Sequence, residues 1–237
     1  MRWAQVTDTG LIRALNEDSL CVSTDIGLFA VADGMGGHRA GEIASGMTLQ
    51  LLERELGKRL KEGAKPENAL IDSIKEANRT IFELSGQNPE YTGMGTTVTA
   101  CLKQGEEIFV AQVGDSRAYF LRDDEIIRLT EDHSLVQELV KNGGITEEQA
   151  FAHPQRNVLT RALGTELSLV VDLYRVGVIP GDLLLLCTDG LTGYLRPDDL
   201  LFIIRSSPDL DAAAQNLLEK ALQSGGADNI TIVLIEF

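Results

Sequence analysis

The sequence predicts an α+β fold in which helices and strands are segregated into layers. Two helical segments follow the first strands, and a long run of strand-forming residues comes after them. A second pair of helices then precedes a final strand. Helix pairs that are set apart from runs of strands are typical of α+β domains, in which helices cover antiparallel sheets.

The first part of the chain is predicted to contain strands and two amphipathic helices. Residues 2–7 and 19–33 are rich in strand-forming side chains. Residues 40–60 repeat apolar side chains at helical spacing, which predicts one helical face turned towards a core. Residues 66–85 show the same spacing, and Pro66 suits the first turn of that helix.

The second part is predicted to consist of strands followed by a second helical layer. The segment from Thr96 to Thr130 is predicted to be almost all strand, and polar breaks divide it into an expected antiparallel meander with Asp115 at a hairpin tip. The later elements are predicted as strands at 169–176 and 183–188, helices near 197–205 and at 209–223, and a closing strand at 230–236.

Composition argues against several classes of protein. The 237 residues carry a formal net charge of −15 at pH 7, so neither nucleic acid nor an anionic membrane surface would attract the chain. No apolar stretch approaches the ~18 residues of a membrane span, and we expect a cytoplasmic protein. Cys21, Cys101 and Cys187 are widely spaced in apolar runs, so they are interpreted as small core side chains.

Four aspartates stand in turns of small residues at the ends of apolar runs, namely Asp33, Asp115, Asp189 and Asp228. Each alone is compatible with ordinary turn chemistry, in which a neighbouring glycine supplies a positive φ. Carboxylates placed just past several buried strands can also converge on one point. Hard oxygen ligands of this kind suit Mg²⁺ or Mn²⁺ rather than Zn²⁺.

The four turns, preceded by Arg13-Ala14-Leu15-Asn16-Glu17-Asp18, resemble in their order the metal-dependent Ser/Thr protein phosphatases of the type 2C family, in its short bacterial form. The resemblance covers essentially the whole chain. It implies a four-layer α/β/β/α sandwich, in which two packed antiparallel sheets are flanked by helix pairs. It further implies one catalytic domain over residues 1–237, with a mobile flap at about 133–165.

The resemblance implies two core ions, Mn²⁺ or Mg²⁺, and a weaker third ion. Asp33 is expected to bridge the core pair, with the carbonyl of Gly34 on one ion. Asp189 and Asp228 are expected to hold the other. Asp18 corresponds to a position near the pair that acts through bound water; as an alternative, it is only a turn carboxylate.

Three more residues are assigned through the same resemblance. Glu17 is expected to act through water, as Asp18 does. Asp115 corresponds to a ligand of the third ion that is shared with Asp189, or else it only stabilises its turn. Thr160 lies where the flap returns and could contact the third ion through oxygen.

Arg13 and His38 are the candidates for handling the substrate phosphate. Arg13 stands where the family places a phosphate-binding arginine, and its planar guanidinium can grip two phosphate oxygens. Without the motif it would be interpreted as a solvated surface residue. Many eukaryotic relatives have a histidine, credited as general acid, where this chain has Met35.

His38, three residues further on, can reach the same cleft and has a side chain suited to acid catalysis near neutral pH. A structural role at the start of the following helix is the alternative for His38. Metal-bound water is the competing proton donor. His133 and His153 are interpreted as ordinary loop or surface histidines.

The expected reaction is hydrolysis of phosphoserine and phosphothreonine, in opposition to a Ser/Thr kinase. Two ions about 3.5–4 Å apart can bridge one water, lower its pKa and orient it for in-line attack on phosphorus. The expected partners are phosphorylated proteins and such a kinase, with no nucleic acid and no membrane, and we expect a monomer.

Two other functions stay open. One is a catalytically inactive module that binds phosphoproteins, which the intact acids disfavour. The other is a metal-dependent phosphoesterase for nucleotides or small phosphates, or a nuclease, and the net charge of −15 disfavours the nuclease.

Overall fold

The computed structural model of the protein describes residues 1–36 and 40–237. Its strands are β1 (Arg2–Asp8), β2 (Asp18–Ser23), β3 (Leu28–Met35), β4 (Gly95–Thr96), β5 (Val98–Gln104), β6 (Glu107–Val113), β7 (Arg117–Arg122), β8 (Glu125–Arg128), β9 (Asp172–Gly177), β10 (Leu183–Cys187) and β11 (Ile230–Glu236). Its helices are α1 (Ala40–Lys61), α2 (Pro66–Gln87), α3 (Leu135–Lys141), α4 (Glu147–Phe151), α5 (Asp189–Thr192), α6 (Pro197–Ser206) and α7 (Leu210–Gln223), with one 3₁₀ turn at Pro89–Tyr91.

The strands form two antiparallel sheets. The first has five strands in the order β1-β11-β10-β7-β8. The second has the order β2-β3-β5-β6-β9, and the short β4 pairs with β3 at its edge. In the first sheet β11 lies between β1 and β10, although it comes last in the sequence.

Alternation along β3 shows how the layers are built. Phe29 and Val31 enter the core between the two sheets, whereas Leu28, Ala30 and Ala32 pack in the cluster that includes α1 and α2. All five are fully buried. Because successive side chains on a strand point to opposite faces, an uninterrupted apolar run is what a strand between two cores requires.

The same alternation along β10 joins the first sheet to α6 and α7. Leu184 and Leu186 belong to the core between the sheets, and Leu183, Leu185 and Cys187 belong to the cluster with the two helices. The resulting order of layers is helices, sheet, sheet, helices, which confirms the predicted α/β/β/α sandwich.

The predicted helices at 40–60 and 66–85 are present as α1 and α2. The predicted meander is wrong, because β6 pairs with β5 and β9 while β7 pairs with β8 and β10. The chain therefore crosses from one sheet to the other at residues 114–116, and Asp115 lies in this crossover rather than at a hairpin tip. A polar break ends a strand both at a hairpin and at a crossover between sheets, so the local sequence does not distinguish the two connections.

The cysteines have the structural role that was predicted. Cys101 and Cys187 are buried, Cys21 is partly buried, and all three are free thiols. Across residues 1–36 and 40–237, no helix combines the length and apolar character that a membrane crossing needs.

The crossover yields a prediction about Gly114. Its φ is +105°, and a Cβ there would lie 2.5 Å from Thr97 Cγ2. We expect Gly114→Ala to lower the free energy of unfolding by about 3 kcal/mol, because backbone strain adds to overpacking. Urea denaturation measures this loss.

Gly105→Ala is the matched control, since Gly105 has a φ of +60° but nothing within 4 Å of the added Cβ. Backbone strain alone should cost about 1 kcal/mol there. Equal losses at the two positions would contradict the steric part of the argument.

Candidate metal centre

The sheets bring five aspartates to one end of the sandwich. Asp18 and Asp33 are directly opposite each other in the β2-β3 pair. Asp115 lies in the crossover that leads into β7, and Asp189 follows β10, which pairs with β7 and β11. Asp228 precedes β11. Pairing among these strands therefore places the five carboxylates in one neighbourhood.

Asp33 is held through its backbone by two threonines. Its N–H donates to Thr97 Oγ1 at 2.9 Å, and its carbonyl accepts from Thr97 N and Thr96 Oγ1, each at 2.9 Å. The sequence predicted Asp33 just past the end of a strand, but the residue lies inside β3. The strand continues through Met35 because Gly34 and Met35 pair with β4.

Asp18 is fixed by hydrogen bonds on one side only. Thr188 Oγ1 donates to Asp18 Oδ2 at 2.8 Å and accepts from Thr231 N at 3.0 Å. The Asp18 N–H donates to Asn16 Oδ1 at 3.1 Å, so the turn that was the alternative interpretation of Asp18 is present as well. The residue is 7% exposed, which makes it far more buried than a turn carboxylate needs to be.

At this end of the sandwich, three buried carboxylate oxygens have no hydrogen-bond donor among the residues that the structure describes. They are Glu17 Oε1, Asp18 Oδ1 and Asp189 Oδ1. A buried acceptor without a partner costs about 1–3 kcal/mol, and more when it is charged. A divalent cation that these oxygens share would remove that cost, so the donor set fits a hard metal ion.

Within residues 1–36 and 40–237, no three His, Cys, Asp or Glu side chains form a group that would hold a metal ion by itself. Mg²⁺ characteristically retains several waters and takes only one or two carboxylates directly.

Burial and mutual repulsion raise the pKa values of these acids. Burial raises the pKa of Asp18 to about 7 and that of Asp189 to about 6, and neighbouring aspartates add to both shifts. Burial also raises the pKa of Asp33 well above its usual range, with further repulsion from Asp18, Asp189, Asp115 and Asp228. The pKa of Asp115 is raised by burial and by Asp189. Cations in this space would oppose all of these shifts.

The glycines after Asp33 and Asp189 permit close backbone contacts. A Cβ on Gly34 would lie 2.1 Å from the Gly41 carbonyl oxygen, and one on Gly190 would lie 1.9 Å from the Asn229 carbonyl oxygen. Neither glycine has a positive φ. The simple turn explanation of these two Asp-Gly pairs is therefore wrong, because packing around the acids is what requires glycine.

Asn229 links the acidic loop to the final strand. Its Nδ2 donates to the carbonyls of Thr9 and Leu15, each at 2.9 Å, and its Oδ1 accepts from Glu17 N at 2.7 Å. This buried amide fixes both ends of the loop that carries Arg13. Sequence reasoning assigned no role to Asn229, although it stands beside Asp228 in the motif.

Arg13 lies beside the acids. Its Nη2 donates to Asp228 Oδ2 at 2.8 Å, and its side chain is 47% exposed. This hydrogen bond is the main cause that raises the pKa of Arg13. The guanidinium is thus held at the acidic cluster while it remains accessible from solvent.

A cleft of about 740 Å³ opens beside the acids. It is lined by residues of the acidic cluster, of helices α3 and α4, and of the segment after β10, including Arg13, Asp115, Asp189, Asp228, Val136, Phe151, Arg156 and Arg196. Helices α3 and α4 lie within the predicted flap at 133–165. The segment predicted as the flap therefore borders the cleft. Thr160, which is exposed near its end, donates its N–H to the His133 carbonyl at 2.9 Å.

One of the three histidines differs from what the sequence suggested. His133 lies in a loop, as predicted, but it is only 7% exposed and is therefore a buried residue rather than a surface one. Its Nδ1 accepts from Gly114 N at 3.0 Å, and burial lowers its pKa. His153 accepts locally from Gln155 N at 3.1 Å. His38, the candidate general acid, lies outside the described residues.

Comparisons with known proteins agree with this architecture. The family model described as Protein phosphatase 2C matches residues 2–139. The Serine/threonine phosphatase stp of Listeria innocua is 41% identical over 235 residues, which cover 97% of this chain and 93% of that protein. The crystal structure of the Mycobacterium tuberculosis serine/threonine phosphatase PstP/Ppp superposes with a TM-score of 0.90 at 38% identity, over 100% of this chain and 98% of that chain.

A further solved structure is the catalytic domain of serine threonine protein phosphatase PstP in complex with two manganese ions. It has a TM-score of 0.87 and 36% identity, over 99% of this chain and 97% of that chain.

The raised pKa of Asp18 predicts how the metal-free protein responds to pH. The folded pKa of about 7 exceeds the ordinary value of 3.8. The contribution of Asp18 to the free energy of unfolding is therefore largest below about pH 4, and it is lost as the pH rises through 7. We expect Asp18→Asn to remove part of this loss and to stabilise the metal-free protein at pH 7.5 by roughly 1–3 kcal/mol. Denaturant unfolding in chelator at pH 5 and 7.5 measures the change.

Asp182→Asn provides a control of opposite sign. The Arg122 guanidinium bonds to Asp182 and lowers its pKa, so the ionised form stabilises the fold above the usual carboxyl range. This variant should lose stability at pH 7.5. A destabilised Asp18→Asn variant at that pH would contradict the repulsion described above.

Proposed function

Since the chain belongs to the protein phosphatase 2C family of Ser/Thr protein phosphatases, we propose that it hydrolyses phosphoserine and phosphothreonine at two ions held by Asp33, Asp189 and Asp228. The observation that carries the proposal is the set of buried oxygens on Glu17, Asp18 and Asp189 that have no donor among the described residues. Such oxygens are expected where cations belong.

In the proposed arrangement Asp33 would be a ligand of both ions, and the Gly34 carbonyl would be a ligand of one of them. Asp189 and Asp228 would hold the other, while Asp18 and Glu17 would act through water. Two divalent ions, Mn²⁺ or Mg²⁺, would supply an activated water for in-line attack and neutralise charge on the phosphoryl group. The protein's part is to keep these carboxylates fixed, which Thr97, Thr188 and Asn229 do.

Arg13 is proposed to bind the substrate phosphate. It already donates to Asp228 Oδ2, so its guanidinium lies at the edge of the acidic cluster. A cation on Asp228 would compete with that hydrogen bond. Arg13 would then be free to turn its paired N–H groups towards two oxygens of the incoming phosphate.

Proton delivery to the leaving serine or threonine oxygen is assigned to His38 in this proposal. Met35 occupies the position after Asp33-Gly34 and has no proton to give. The sequence places His38 close to this position.

The third ion is proposed to bind Asp115 and Asp189, with Thr160 as a further contact. The flap beside the cleft would contact the polypeptide around the phosphorylated residue. We propose phosphoproteins, and a Ser/Thr kinase whose action is reversed, as the physiological partners. The proposal also includes a monomeric protein of the cytoplasm, with one catalytic domain over residues 1–237.

The metal proposal predicts that hydrolysis of a chromogenic aryl phosphate stops in chelator and resumes with Mn²⁺ or Mg²⁺. Asp33→Asn, Asp189→Asn and Asp228→Asn should each lower kcat by at least about 100-fold, because each removes a compensating negative charge. Steady-state kinetics and circular dichroism together separate lost chemistry from lost folding.

Asp182→Asn is the control for those three variants, because Asp182 lies at the other end of β10 from Asp189. It should retain activity. Turnover in excess chelator, or a near-normal rate in the Asp33→Asn variant, would contradict the metal proposal. Phosphothreonine peptide, phosphotyrosine peptide and nucleotide substrates distinguish a protein phosphatase from a small-molecule phosphoesterase.

A second prediction concerns Arg13. Arg13→Ala should raise KM by about 10-fold and lower kcat by less, because capture of the phosphate dianion is weakened while the ions stay bound. Arg54→Ala is the control, since Arg54 is an exposed residue of α1 that pairs only with the adjacent Glu55 among the described residues. A loss confined to kcat would instead assign Arg13 to the transition state.

A further inference from the structure

The crossover that carries Asp115 is held by side chains of the six-stranded sheet. Gln112 Nε2 donates to the carbonyls of Gly114 and Ser116, at 3.1 and 3.2 Å. Thr99 Oγ1 donates to the same Ser116 carbonyl at 2.7 Å. Gln112 and Thr99 are fully buried. One side of the crossover is therefore fixed by partners that solvent does not reach.

His133 holds the crossover from the other side, at Gly114. Its backbone N–H donates to the Gly114 carbonyl at 2.9 Å, and its Nδ1 accepts from Gly114 N at 3.0 Å. Because Gly114 N can only donate, Nδ1 is the ring nitrogen without hydrogen. The ring hydrogen is then on Nε2, which lies 3.2 Å from Asp172 Oδ2 as its acceptor and 2.9 Å from Arg161 Nη1, which bonds to the same carboxylate.

The two ends of the flap meet at the same histidine. His133 opens the flap, and the N–H of Thr160 at its other end donates to the His133 carbonyl at 2.9 Å. Arg161 Nη1 donates to Asp172 Oδ1 at 2.7 Å, so the carboxylate that orients the His133 ring is itself fixed. The flap root and the crossover thus form one hydrogen-bonded unit.

We propose that His133 is a positioning residue that sets the place of Asp115 and thereby the affinity for the third, weaker ion. The inference rests on the proposed role of Asp115. Without the Nδ1 acceptor, the buried Gly114 N–H would lose its partner and the crossover would shift to reach another. The Asp33 carbonyl accepts from Thr96 Oγ1 and Thr97 N, and Asp228 accepts from Asn229 N, so both acids have anchors outside the crossover and the core ion pair should be unaffected.

Two substitutions separate the two ring nitrogens. In His133→Asn the side-chain oxygen can take the place of Nδ1 and accept from Gly114, while the contact with Asp172 is lost. In His133→Gln the longer amide reaches the place of Nε2 instead, and the Gly114 N–H loses its acceptor. The asparagine variant should therefore preserve the position of Asp115, and the glutamine variant should not.

The readout is Mn²⁺ binding to the full chain without substrate. Titration calorimetry and electron paramagnetic resonance of the free ion both measure it. His133→Gln should weaken the weakest Mn²⁺ site about 10-fold and leave the tighter sites unchanged, as expected for a partner that orients a ligand. His133→Asn should stay within about three-fold of the natural chain.

Two more variants make the outcomes distinguishable. Asp182→Asn controls for general destabilisation and should leave all Mn²⁺ sites unchanged. Asp115→Asn should lose the weakest site. The positioning role is overturned if Asp115→Asn loses the weakest site but His133→Gln binds Mn²⁺ there normally. It is also overturned if His133→Asn weakens that site as much as His133→Gln does. In both cases the proposed function stands. If Asp115→Asn keeps the weakest site, the assignment of Asp115 falls and this inference falls with it.

A measurement on the natural chain applies even if His133→Gln does not fold. In protein labelled with ¹⁵N-histidine, the Nδ1 resonance of His133 should be that of an unprotonated nitrogen, and it should shift when Mg²⁺ fills the weakest site. An Nδ1 that carries hydrogen, or a resonance that does not respond to the weakest site, would overturn the proposal.

Discussion

Repulsion among carboxylates that are gathered in one poorly hydrated space is the constraint on which the rest of this structure depends. Burial is the main cause that raises the pKa of Asp18 to about 7, and repulsion from Asp189 and Asp228 contributes to the same shift. The fold withstands this repulsion because the acids are anchored from outside the cluster, by Thr97 at Asp33 and by Thr188 at Asp18. The repulsion lowers local stability, and the same arrangement leaves oxygens in place for cations. Such a local cost is typical of functional sites.

Much of the fold could be predicted from local sequence pattern. Apolar spacing predicted α1 and α2 to within a few residues, and the continuous apolar run of β10 predicted a buried strand. The pattern did not predict which strands pair, because pairing depends on contacts between distant segments. Asp115 illustrates the limit: the same polar break suits a hairpin and a crossover between sheets, and only the partners of β6 and β7 decide between them.

The candidate site was predicted through its acids and not through the residues that hold them. Asp-Gly pairs are visible in a sequence, and the family resemblance added Arg13, which composition alone would leave on the surface. Asn229 acts through the backbone of Leu15, which lies 214 residues away in the sequence. His133 acts through the backbone of Gly114, which lies 19 residues away. Such partners leave no periodic signal. Their one trace is that each adjoins a motif or a polar break that was already noticed.

The place of β11 in the first sheet has a consequence for the order in which the molecule assembles. This strand is last in the sequence, yet it lies between β1 and β10 and contributes Val233 and Ile235 to the core between the sheets. A chain emerging from the ribosome therefore cannot complete that sheet until residues 230–236 have appeared. Contacts so distant in sequence are slow to form. Asp228 arrives with the same segment, so a nascent chain acquires its full set of carboxylates only as the core closes around them.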